Sequence, residues 1–128
     1  MRVNIRNNFA TFALKLKVGA KILFFFHLNN FYDMKSEFQQ EIITSLKEYR
    51  LKEGYTQQEV GVLLGISNGQ VGNIESPKMP HKYTLSQISM LCDAFQIDIE
   101  RIFLNELELM DNDNKIKSLI KKIIEYEN

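Results

Sequence analysis

A chain of 128 residues with 45% hydrophobic content has room for one core plus extensions, and its single cysteine, Cys92, excludes an internal disulfide and a cysteine-rich zinc cluster. The formal net charge of zero divides unevenly: residues 1–33 carry five Lys/Arg against one Asp, and residues 34–128 carry eleven Lys/Arg against fifteen Asp/Glu. An acidic body excludes a protein that coats nucleic acid by charge alone, because nonspecific binding is dominated by phosphate neutralisation, but it leaves room for a small, well-aimed site.

The longest apolar run near the beginning, residues 22–26, falls far short of the roughly 18 consecutive apolar residues that a bilayer span needs. Basic residues precede it but no small-residue cleavage pattern follows, which argues against a secretory signal, so a cytoplasmic protein without membrane attachment is expected. Met34 opens MKSEFQQEIITSL, which reads as the natural beginning of a helical domain. Residues 1–33 are therefore expected to be a start-site overcall or a loosely attached arm, residues 34–104 one domain, and residues 105–128 an acidic connector and a last helix.

Apolar residues Phe38, Ile42, Leu46 and Tyr49 recur near helical spacing, predicting a first helix over about residues 36–53 with Gly54 as its stop. Thr56-Gln-Gln-Glu59 is a capping box, so a second helix starts there and runs to about Leu64, with Val60, Leu63 and Leu64 turned inward. Gly65 can adopt the left-handed conformation that closes a helix, Ile66 plugs the turn, and Ser67 to Gln70 repeats the cap pattern. A third helix thus begins three residues after the second ends and buries Val71 and Ile74. Pro77 and Pro80 end it near Ser76.

Thr84 with Gln87 predicts a fourth helix carrying Ile88, Leu91, Cys92 and Phe95 on one face, where Cys92 reads as a small buried hydrophobe. Asp98 is expected to cap a short fifth helix with Ile99, Ile102 and Phe103 inward. After the connector NELELMDNDN, a last helix over about residues 115–126 carries the stripe Ile116, Leu119, Ile120, Ile123 and Ile124. Asp111, Asp113 and Asn114 hint at a calcium loop, but Lys115 at a ligand position, Ile116 in place of glycine and Lys122 in place of the final glutamate rule it out. No strand pattern or internal repeat is present, so the fold class is all-α. No carboxylate pair, His-based cluster or glycine-rich cradle suggests catalysis, a metal or a cofactor.

A short helix, a tight glycine turn and a second short helix make a helix-turn-helix, whose second helix can enter a major groove. Gln57, Gly61, Gly65, Val71 and Glu75 match in spacing the signature of the phage-repressor-like, or XRE, family. The resemblance covers about residues 38–104 and implies a five-helix lambda-repressor-like domain, here with an additional C-terminal amphipathic helix. One departure is Gly61, where the family usually has alanine; a mid-helix glycine costs about 1 kcal/mol.

By position, the resemblance implies that Gln57, with Thr56 at the same helix start, binds a phosphate, and that Asn68, Gly69, Gly72 and Asn73 face base edges with Gln70 beside them. It implies phosphate contacts from Lys78, Lys82 and Tyr83 in the following loop, and an ion pair of Arg50 with Glu75. Asn and Gln can bind adenine bidentately, at about 1–3 kcal/mol per good pair, and without arginine on this helix strong guanine readout is not expected. The last helix is expected to pair with its copy in a homodimer, since helix-turn-helix proteins commonly read two half-sites on double-stranded DNA. These readings favour a sequence-specific repressor on a palindromic operator. The alternative is a protein-interaction module, an antitoxin or adaptor whose main partner is a toxin or another protein.

Overall fold

The computed structural model describes residues 34–128, so the expectation for residues 1–33 lies outside the described residues. Seven helices and no strand occur among them: α1 (Glu37–Lys52), α2 (Gln57–Leu64), α3 (Asn68–Glu75), α4 (Leu85–Phe95), α5 (Glu100–Phe103), α6 (Glu106–Met110) and α7 (Lys115–Glu127). Five of them open with a reciprocal capping box, at Ser36, Thr56, Ser67, Thr84 and Asn105. In each box the cap side chain accepts from the third helical N–H and the third side chain accepts from the cap N–H, so two otherwise orphaned donors are satisfied. This chemistry sets the helix starts. Gly54 at φ +78° and Gly65 at φ +67° supply the left-handed residues that let the chain reverse after α1 and α2.

The core is built from one face of each of the first five helices. Ile42, Ile43 and Leu46 of α1 meet Val60 of α2, Val71 and Ile74 of α3, Ile88, Leu91, Cys92 and Phe95 of α4, and Ile102 and Phe103 of α5. Helix α1 packs on α3, α4 and α5, while α2 packs on α3 and α4, so the α2–turn–α3 pair is held from behind by the rest of the bundle. Burial pushes the Cys92 thiol up to about 11, with Asp93 and Asp98 adding to the effect, which keeps it a neutral packing group.

Three details differ from the sequence reading. Ile99, without a side-chain cap bond, stands at the start of α5, and Asp98 contributes only its carbonyl to the first turn. The acidic connector contains α6, because Asn105 and Glu108 form a capping box inside what reads as a charged loop. The stripe of α7 is shared between two surroundings: Leu119 and Ile123 pack against the core, whereas Ile116, Ile120 and Ile124 are 73%, 52% and 55% exposed. A wide apolar arc on one helix exceeds what a single contact with α5 and α6 covers.

The last turn of α7 returns to the core. Tyr126 is fully buried, its ring edge-on to Phe103 with centroids 5.7 Å apart, and burial raises its hydroxyl well above the usual range. Residues Lys35–Asn128 consequently form one compact unit.

Candidate nucleic-acid interface

The α2–turn–α3 element is short because its turn is. Gly65 closes α2, the Ile66 N–H returns to the Gly61 carbonyl at 2.9 Å, and Ser67 caps α3 two residues after the closure. A methyl at Gly61 would stand 2.7 Å from the Ile66 carbonyl oxygen, a distance that requires backbone movement. Glycine here permits a close approach of the turn to α2, a reason that spacing alone did not reveal.

Behind this element lies a buried polar knot. Arg50 of α1 donates through Nε to Glu75 Oε1 at 2.7 Å and through Nη2 to Oε2 at 2.9 Å, and its Nη1 donates to the Tyr55 carbonyl at 2.7 Å. The two side chains are only 7% and 2% exposed. Gln57 Nε2 donates to Glu75 Oε2 at 3.0 Å, and its amide lies over Gly72, where an added methyl would stand 3.5 Å from Gln57 Oε1. One carboxylate therefore fastens α1, the start of α2 and the end of α3 together. Lys35 completes the frame: its ammonium donates to the carbonyls of Ile74 and Ser76 at 2.6 and 2.8 Å, closing the C-terminal end of α3, where a cation is favoured. Partial burial lowers the Lys35 pKa.

The solvent face of α3 presents Asn68, Gly69, Gln70 and Asn73, all exposed, with Gly72 half-buried beneath Gln57. The only carboxylate of α3, Glu75, is turned inward onto Arg50, so the face carries amides and no negative charge. Gln70 Oε1 accepts from the Ser67 N–H at 2.9 Å, which leaves the amide N–H groups as the outward part of that side chain. Thr56 is similarly engaged: its hydroxyl accepts from the Glu59 N–H and donates to Glu59 Oε2 at 2.8 Å. Hydrogen bonds from the Thr56 backbone N–H and then its hydroxyl hold the Glu59 carboxyl below its usual value.

The loop after α3 separates the three residues read together from the sequence. Lys78 is exposed. Lys82 is half-buried, and its ammonium donates to the carbonyls of Tyr126 and Glu127 at 2.7 and 3.2 Å, so the end of α7 holds it. Tyr83, expected at the DNA backbone, is instead 1% exposed and part of the core; burial first, then the Glu75 carboxylate, raises its hydroxyl well above the usual range. The alternation along a loop that covers a core explains this correction, since an aromatic after a snorkelling lysine is the plug of the loop. Between α3 and the start of α4 lies a cleft of about 290 Å³ that gathers Gln70, Asn73, His81, Lys82, Thr84 and Gln87. Lys35, Gln39 and Tyr126 escaped the sequence reading; the only signal was a basic residue beside the Ser36 cap and a tyrosine ending the last apolar stripe.

No helix among the described residues is long and apolar enough to cross a membrane. Comparison with curated proteins and with solved structures gives no match. A helix-turn-helix family model matches residues 46–102, from the middle of α1 to the end of α5, and so spans the bundle that carries the α2–turn–α3 element. In these residues the chain carries a helix-turn-helix DNA-binding domain of the phage-repressor-like, XRE type, the kind found in transcription regulators.

Proposed function

We propose that the protein is a sequence-specific repressor that binds a palindromic operator as a homodimer and acts by occupying it. The observation that carries this reading is the solvent face of α3, an uncharged surface of amides and glycines whose sole carboxylate is sequestered by Arg50. Asn68 and Asn73 are assigned to base edges and Gln70 to a donor contact, with exposed Gly69 allowing close approach of DNA and Gly72 the seating of the Gln57 amide. The first-turn N–H groups of α2 at Gln57 and Gln58 have no intrahelical acceptor, and with Lys78 they are assigned to phosphates.

Dimerisation is assigned to the exposed residues Ile116, Ile120 and Ile124 of α7, which recur every fourth residue, flanked by exposed Lys117 and Lys121. Helix α6 packs beside α7 and adds exposed Leu107 and Met110 among Glu106, Asp111 and Asp113. A patch with acidic and basic rims can be self-complementary about a twofold axis, as an isologous contact requires. Leu119 and Ile123 support the same helix from within. The same apolar patch favours a second reading, in which a different protein such as a toxin occupies it and the chain is an antitoxin or adaptor.

The roles separate experimentally. Asn73→Ala should reduce preference among sequences, whereas Lys78→Ala should weaken all duplexes alike and lower the salt slope by about 0.9. Equal losses for every duplex in both variants would refute the assignment.

A further inference from the structure

Tyr126 grips the loop after α3 with both of its polar ends. Its hydroxyl donates to the Tyr83 carbonyl at 2.7 Å, while its own carbonyl accepts from Lys82 Nζ at 2.7 Å and from Gln39 Nε2 at 2.7 Å. The Lys82 ammonium also lies 5.1 Å from the centroid of the Tyr126 ring and donates to the Glu127 carbonyl. A cation at a helix C-terminus meets orphaned carbonyls and the negative end of the helix dipole, so each contact favours this placement of the lysine. Two adjacent loop residues, Lys82 and Tyr83, are thus tied to one residue of α7 and, through Gln39, to the first turn of α1. The loop so held forms one wall of the cleft whose other wall is the reading helix.

We propose that Tyr126 and Lys82 are positioning residues for DNA binding: the last turn of α7 sets the course of the loop over residues 77–84, and pairing of α7 with a second copy strengthens DNA binding by ordering that turn. The proposal rests on the reading of the α3 face as the DNA side and of α7 as the dimer contact. Physically, α7 carries Ile116, Ile120 and Ile124 outward and Tyr126 inward, so its docking and the order of the loop are one equilibrium. Helix α7 packs chiefly on the short helices α5 and α6 and leaves Ile116, Ile120 and Ile124 exposed, and an element with few buried contacts is prone to local opening. A second copy that packs on its outer face removes that opening and the ordering cost that DNA would otherwise meet. Linkage is reciprocal, so operator DNA strengthens dimerisation by the same factor. Lys82 acts here through the loop, because two of its three N–H groups are held by carbonyls at the end of α7.

The test uses the full chain with Tyr126→Phe, which removes the hydroxyl and keeps the ring, and with Lys82→Met, which removes the ammonium and keeps the stem. For folded Tyr126→Phe, the helical amides 124–126 at the end of α7 should exchange about tenfold faster while those of α1 and α4 stay unchanged, as expected for one lost hydrogen bond that holds this turn to the loop. Affinity for operator and random duplex should fall by a common factor, also about tenfold. Lys82→Met should weaken binding at every salt concentration with the salt slope unaltered, and the double variant should lose no more than the worse single one. If Tyr126→Phe does not fold, Lys82→Met decides the matter through exchange at the end of α7, which Lys82 also holds, and through salt slope. A slope lowered by about 0.9 would make Lys82 a direct phosphate contact and overturn the proposal. Faster exchange at the end of α7 with unchanged affinity, or losses that multiply in the double variant, would overturn it while leaving the DNA-binding reading intact. A wild-type chain that binds no duplex would end both.

Discussion

Glu75→Ala removes the centre of the knot behind the helix-turn-helix. Arg50 would remain buried with only the Tyr55 carbonyl as partner, and Gln57 Nε2 would lose its acceptor. Removing one member of a buried pair costs about 3–5 kcal/mol, chiefly because the remaining charge stays desolvated. A unit of this size has a total stability of about 5–14 kcal/mol, so the variant loses a large share. At about 4–8 °C per kcal/mol for a small domain, the melting temperature should fall by at least about 12 °C. Urea unfolding of Glu75→Ala, Arg50→Met and the double variant Arg50→Met/Glu75→Ala isolates the pair. The double variant strands no charge and should be more stable than the summed losses imply, by about 2–3 kcal/mol. A loss below about 1 kcal/mol in Glu75→Ala, or simple additivity, would refute the account of the knot.

Gly61→Ala sets a helix-propensity gain of about 1 kcal/mol against a methyl 2.7 Å from the Ile66 carbonyl, an overpacking cost of about 1–3 kcal/mol. The variant should be no more stable than wild type by urea unfolding, and a gain near the full propensity value would show that the turn yields freely. Because Glu59 has a lowered folded pKa, its contribution is present above the ordinary value of 4.5 and is lost as pH falls through the folded value. Glu59→Gln keeps the cap without titrating, so wild type should lose stability faster than the variant below pH 4.5; parallel acid profiles would contradict this. Ile120→Asp places a charge in the proposed dimer face without touching the core, and should give a helical monomer in sedimentation velocity. A wild-type chain that already sediments as a monomer at micromolar concentration would remove that reading.

Much of the architecture was legible because local chemistry and global packing agree along this chain. Thr56, Ser67 and Thr84 each announce a helix start three residues before its Glu or Gln partner, and Gly65 announces the turn. The same logic missed α6, whose Asn105 cap opens an acidic stretch without a long apolar period. Ile43 also fell outside the predicted stripe of α1 although it is fully buried, because a helix inside a bundle is covered over a wide arc. Surface assignments were less legible than boundaries. Tyr83 and Lys82 are adjacent in a loop, yet one plugs the core and the other meets a helix end 44 residues away, a contact that no local spacing encodes. The division of the α7 stripe into Leu119 and Ile123 inside and Ile116, Ile120 and Ile124 outside likewise depends on where the helix docks.

Selection of binding sites from a random duplex pool with the full chain, followed by affinity for the winner against scrambled DNA at two salt concentrations, tests the central claim most directly. The α3 face predicts enrichment of a palindrome with adenine-containing half-sites about one helical turn apart, bound at least about a thousandfold better than scrambled duplex. No enrichment, with only weak salt-sensitive binding, would contradict sequence-specific operator recognition and pass the function of the α6–α7 patch to a protein partner.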